Sequence, residues 1–199
     1  MFRRKYLVAP HAAAPVAVKK DPLFFIAVLP PEDLQREVTA FKQHIADTWG
    51  ARHALKSPPH LTLQPPFAWP EKDLGSLKKC LVEFASRESL FEVSLQGFGA
   101  FPPRVVFIKP LKNRFLEQIF QNLIHSLERD LGFSDPRNRR PFHPHMTIAH
   151  RDLDERDFPD VWAFFREKKF ERKFEATALT LLRNVQGKWA IEENFHFSL

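Results

Sequence analysis

One order of elements runs twice along this chain, and that repeat limits the fold more than any other feature. LFFIAVL (23–29) is an unbroken apolar run rich in aromatic and branched residues, the pattern of a buried strand. Pro30 and Pro31 close it and suit the first turn of a helix. Leu34, Val38, Phe41 and Ile45 then recur at helical spacing through 32–48. HLTL (60–63) is short and strand-like, and Leu74, Leu77, Leu81 and Phe84 mark a second helix. Phe91, Val93 and Leu95 alternate with Glu92, Ser94 and Gln96, the period of a half-buried strand. The second copy runs RVVFIK (104–109), an amphipathic helix over 112–131, HMTI (145–148) and a helix near 155–168. An alternating strand through Phe174, Ala176, Ala178 and Leu182 completes it, and KWAIEENFHF (188–197) adds a last strand.

The spacing is regular. The first strands start 81 residues apart (23 and 104), the third strands 82 apart (90 and 172), and His60 and His145 are 85 apart. Such offsets predict a duplicated strand–helix–strand–helix–strand unit, with half-repeats at about 23–96 and 104–183. The expected class is α+β: two pseudo-symmetric lobes, with sheets rich in antiparallel pairing, around a central cleft. Two copies are too few for a solenoid. Residues 21–199 read as one bilobal domain. Residues 1–20 read as a leader or loosely ordered edge segment, because Pro10, His11 and Pro15 interrupt the apolar stretch after Arg3, Arg4 and Lys5. A secretory signal wants ~7–15 uninterrupted apolar residues, so a cytoplasmic protein is expected.

Composition narrows the function classes. The single Cys80 excludes a disulfide framework and any cysteine-based zinc site. Thirty Lys and Arg against 24 Asp and Glu give a net charge of +6, which suits anionic partners such as RNA ends or nucleotides. No apolar run approaches the ~18 residues of a membrane helix, so no membrane partner is expected. A monomer is the default. With 21 Phe and one Tyr, the core should be filled with rings.

The residues that carry chemistry lie in SPPHLTLQPPF and PFHPHMTIAHR. Both hold Pro-His-apolar-Thr-apolar: Pro59-His60-Leu61-Thr62-Leu63 and Pro144-His145-Met146-Thr147-Ile148. Side chains two apart on a strand share a face. His60 with Thr62, and His145 with Thr147, should therefore project together while their apolar neighbours anchor each strand. In-line cleavage of a phosphodiester needs a base on the attacking oxygen and an acid on the leaving oxygen. Imidazole, with an unperturbed pKa of ~6.5, can be either. The threonine hydroxyls can donate to the non-bridging oxygens.

These paired motifs resemble those of the two-histidine phosphoesterases, the group that includes the 2′–5′ RNA ligases and cyclic phosphodiesterases. The resemblance covers about residues 21–199, and neither tetrad departs from the family pattern. It implies a metal-independent, cofactor-free phosphoesterase in which His60, Thr62, His145 and Thr147 are catalytic. Its substrates would be 2′,3′-cyclic or 2′–5′ phosphodiesters in RNA ends or small cyclic nucleotides. For hydrolysis of a cyclic end, His145 is taken as base and His60 as acid, and the pseudo-symmetry of the two motifs allows the reverse assignment.

Candidate phosphate contacts are Lys56, Arg104, Arg139, Arg140 and Arg151, with Arg104 the best placed if its loop lines the cleft. Phe67 and Phe142 are candidates for stacking on a base, with core packing, the usual role in a chain of 21 phenylalanines, as the alternative for each. Asp152 and Asp154 read as a loop and helix start. Two further readings stand beside the enzyme. One is a non-catalytic RNA- or nucleotide-binding module on the same fold. The other is a metal site built from His60, His143, His145 and His150.

Overall fold

A computed structural model describes residues 20–198, so the reading of 1–20 as a leader lies, Lys20 apart, outside the described residues. The elements follow in the order β1 (Leu23–Val28), α1 (Glu32–Trp49), β2 (Leu61–Ala68), α2 (Leu74–Ala85), β3 (Phe91–Phe101) and β4 (Val105–Pro110). After these come α3 (Arg114–Leu131), β5 (Met146–Ala149), α4 (Phe158–Arg166), β6 (Glu171–Ala176), β7 (Ala178–Val185) and β8 (Lys188–His196). Short 3-10 turns cover His53–Lys56 and Pro136–Arg139, and neither had a sequence signal.

Two four-stranded antiparallel sheets form, ordered β2-β1-β7-β8 and β5-β4-β3-β6. The orders match place for place: β1 with β4, β2 with β5, β7 with β3 and β8 with β6. The two-lobed α+β architecture is therefore present, with one change in the correspondence of strands. β3 belongs to the first half of the sequence but pairs with β4 and β6, and its counterpart is β7 rather than the strand near 172.

The expected single strand through Phe174 and Leu182 is also two strands in different sheets, divided at Thr177. β6 is an edge strand, with Phe174 and Ala176 alternately buried. β7 lies between β1 and β8, and its Leu179–Leu182 run is buried throughout. An alternating edge strand and an apolar central one stand end to end, and together they mimic one element.

Two local features bear on the site. β2 runs past Pro65 and Pro66, which its edge position tolerates because one side needs no ladder donors. On β3, a Cβ at Gly99 would stand 2.5 Å from the Phe107 ring, so glycine is what lets Phe107 lie across the strand. α1, α2 and α3 bury Leu34, Val38 and Ile45; Leu77, Leu81 and Phe84; and Leu116, Ile119, Leu123 and Leu127 in one continuous core with the inner sheet faces. Rings do fill it: Phe41 meets Phe98, Phe165 and Phe170 edge-on at 5.5–5.9 Å.

Candidate active site

His60 and His145 each stand one residue before an edge strand, β2 and β5, at equivalent places in the two sheets. Leu61, Leu63, Met146 and Ile148 are at most 1% exposed. His60, Thr62, His145 and Thr147 are partly exposed and line one cavity of about 460 Å³. The expected in–out alternation thus holds in both copies, and it brings the four side chains together.

Both rings are held alike. Nδ1 of His60 lies 2.7 Å from the carbonyl oxygen of Pro58, and Nδ1 of His145 lies 2.8 Å from that of His143. A carbonyl only accepts, so Nδ1 carries the hydrogen in each ring and Nε2 is the atom that titrates. Phe25 packs on His60 at 4.7 Å, while Phe101 and Phe107 flank His145 at 5.3 Å each.

Burial sets the charge of the pair. Desolvation pushes His60 down to about 4 against the pull of its Pro58 bond, and repulsion from Lys42, His145 and His150 adds to the shift. His145 is also lowered, chiefly by burial. Without a counter-charge both rings are neutral at pH 7. A phosphate between them would raise their proton affinity, since an opposite charge favours the charged form.

Of the candidate substrate contacts, Lys56 lines this cavity, and so does Arg151. Arg140 and Phe142 line an adjoining cavity of about 310 Å³, which shares Thr62, Pro66 and His145 with the first. Phe142 lies flat on Phe120 at 4.2 Å. Behind this second cavity, Asp135 accepts from the Gln64 amide at 2.8 Å. Asn138 in turn donates to the Gln64 oxygen at 2.6 Å.

Three of the candidate contacts line neither cavity. Phe67 is 5% exposed and sits among Phe24, Trp69 and Phe133, so it is a core ring and cannot stack on a base. Its place, six residues after Leu61, gives it the inward face of β2. Arg104, in the turn between β3 and β4, is engaged by Glu155 at 3.0 Å and lines neither cavity. Arg139 lines neither cavity. Nor is the four-histidine metal cluster assembled: His143 is outside the main cavity, and no group of three His, Cys, Asp or Glu is placed to hold an ion among the described residues.

Sequence reasoning missed Phe25, Trp189 and His53, all of which line the cavity. Trp189 meets Phe25 edge-on at 4.7 Å, and only the order β1-β7-β8 brings them near each other.

The comparisons with known proteins agree with this geometry. The 2′-5′ RNA ligase superfamily matches residues 30–188. A Geobacillus sp. (strain WCH70) protein named "Putative phosphoesterase" is 27% identical over 173 residues, 85% of this chain and 93% of the relative. TT0787 of Thermus thermophilus has the same fold at a TM-score of 0.65 and 24% identity, covering 88% of this chain and 97% of that one. E. coli LigT complexed with 3′-AMP gives 0.62 at 19% identity, covering 91% and 100%. With a family match across most of its length and a duplicated fold carrying two matched histidine motifs, the chain belongs to the 2′-5′ RNA ligase superfamily of two-histidine phosphoesterases.

Proposed function

We propose that the protein cleaves, or in the reverse direction forms, 2′,3′-cyclic or 2′–5′ phosphodiesters at RNA ends or in small nucleotides. His60, Thr62, His145 and Thr147 are its catalytic set. The observation that carries this reading is the identical anchoring of the two rings, each by Nδ1 to the carbonyl two residues earlier, in one cavity. Such anchoring fixes the tautomer and leaves two Nε2 atoms free to exchange protons with a substrate. In hydrolysis of a cyclic end, His145 Nε2 takes a proton from water as its oxygen attacks phosphorus. Protonated His60 Nε2 gives its proton to the departing ribose oxygen. The Thr62 and Thr147 hydroxyls donate to the non-bridging oxygens, where charge builds. The substrate's own negative charge lets one ring hold a proton near neutrality.

A structural neighbour's complex with 3′-AMP supports a ribonucleotide substrate, and the basic composition suits it too. No helix among the described residues is long and apolar enough to cross a membrane. The test is turnover of a 2′,3′-cyclic nucleotide in excess EDTA by the wild type and by folded His60→Ala and His145→Ala proteins. Turnover resistant to EDTA and lost in both variants is the expected result. Near wild-type turnover in either variant overturns the mechanism.

A further inference from the structure

Four basic side chains in the same cavity take no part in that mechanism. His53, Lys56, His150 and Arg151 come from two segments, the 3-10 turn at His53–Lys56 and the loop leaving β5. Asp152 clamps these segments together: its carboxylate accepts the backbone N–H of Arg52 at 2.7 Å and of His53 at 2.8 Å. The Asp152 N–H reaches back to the His150 carbonyl at 2.7 Å. Arg151, between them, takes a φ of 58°, a left-handed conformation that a residue with a side chain adopts at a cost. The clamp sets the His53 ring edge-on against His150 at 4.8 Å.

We propose that these four side chains form a second phosphate subsite, for a phosphate of the substrate other than the one being cleaved. The inference rests on the proposed phosphodiester chemistry for its substrate and extends it to a substrate bearing at least two phosphates. Two half-buried imidazoles, His53 and His150, stand here beside two exposed cations, Lys56 and Arg151, and positive charge on the imidazoles is unfavourable unless an anion completes the group. The surroundings of His150 show that cost: burial, His53, Arg151 and Lys42 push it down to about 4, and Asp152 alone opposes them. His53 is lowered for the same reasons, by burial, Arg151 and Lys56. A phosphate offers several acceptor oxygens to these donors, and charge-assisted hydrogen bonds of this kind are the strong ones.

The test compares three adenosine ligands by calorimetry: the 3′-monophosphate, the 3′,5′-bisphosphate, and a 3′-phosphorylated diadenosine whose second phosphate is a backbone diester. Wild-type protein should bind at least one two-phosphate ligand about tenfold or more tightly than the monophosphate. That ratio should fall towards one in the Lys56→Gln/Arg151→Gln double variant. A gain with the bisphosphate alone assigns the subsite to a terminal phosphate, and a gain with the dinucleotide assigns it to an RNA backbone. At pH 7 the bisphosphate should also take up more protons than the monophosphate, because His53 and His150 gain a counter-charge.

A ratio near one in the wild type, or one unchanged in the double variant, overturns the subsite. Failure of the catalytic reading is separate: it shows as unchanged turnover in His60→Ala, whatever the ratio.

Discussion

Lys42 Nζ donates to the carbonyl oxygen of Ser57 at 3.0 Å, from a side chain only 2% exposed. Burial drives its pKa down to about 7, and no carboxylate acts to restore it. Between about pH 7 and 10.5 the unfolded chain binds this proton and the folded chain does not, so stability drops as the pH is lowered through that window. Lys42→Met removes this cost at pH 7 and loses one hydrogen bond to Ser57. The net gain should be roughly 1–3 kcal/mol. Urea denaturation at pH 7 and pH 9.5 checks it: the variant should gain at the lower pH and depend less on pH.

The two histidines should fail separately and not multiply. His60→Ala and His145→Ala each remove one proton transfer, worth roughly 10²–10⁴ in rate. The double variant should lose much less than the product of the single losses, because the pair acts as a unit. Thr62→Ala and Thr147→Ala should each cost less than either histidine. Single-turnover rates on a 2′,3′-cyclic nucleotide measure all five proteins.

The pH profile should separate free from bound enzyme. Sequence alone suggests a bell centred near neutrality. With both histidines lowered by burial, the singly protonated pair peaks on the acid side of 6.5 in the free protein. The maximum of kcat/KM should fall there, and that of kcat should move up, since the bound phosphodiester raises both affinities for protons. Rates between pH 4 and 9 test this. Coincident maxima for the two parameters would contradict the electrostatics.

Acid should weaken the fold through the same cavity. His60 and His150 have folded pKa values near 4, below the unfolded 6.5. The unfolded chain therefore binds protons first, and stability is lost as pH falls from 6.5 to 4. Each contributes on the order of 1–3 kcal/mol at the acid end. His150→Gln should flatten the decline, read as denaturant midpoints at pH 7 and pH 4.5.

Phe67→Ala should behave as a core deletion, costing about 3–5 kcal/mol while nucleotide affinity of the remaining folded protein is retained. A selective loss of affinity at unchanged stability would return Phe67 to the site.

Much of this was legible because apolar periodicity and turn residues act locally. The period-2 pattern gave the inward faces of Leu61, Leu63, Met146 and Ile148, and with them the outward faces of the two histidines and threonines. The same period, carried six residues on, already put Phe67 on the inner side of β2. What local patterns do not hold is sheet order. The pairing of β7 with β1 brings Trp189 to Phe25, and the break at Thr177 hides between two apolar patterns. Arg104 was misjudged for the same reason, since its partner Glu155 lies 51 residues away.

The place of β3 in the second sheet and of β7 in the first has a mechanical consequence. Each half of the sequence lends the other an interior strand, so neither half owns a finished sheet. A chain severed between Phe101 and Val105 should yield two fragments that fold only on meeting. In the intact protein the two sequence halves are laced together inside each sheet, by β1 with β7 in one and by β3 with β4 and β6 in the other, while His60 and His145 stand at edge strands of the two different sheets. The halves of the sequence therefore cannot part as units, because pulling them from one another would unzip both sheets.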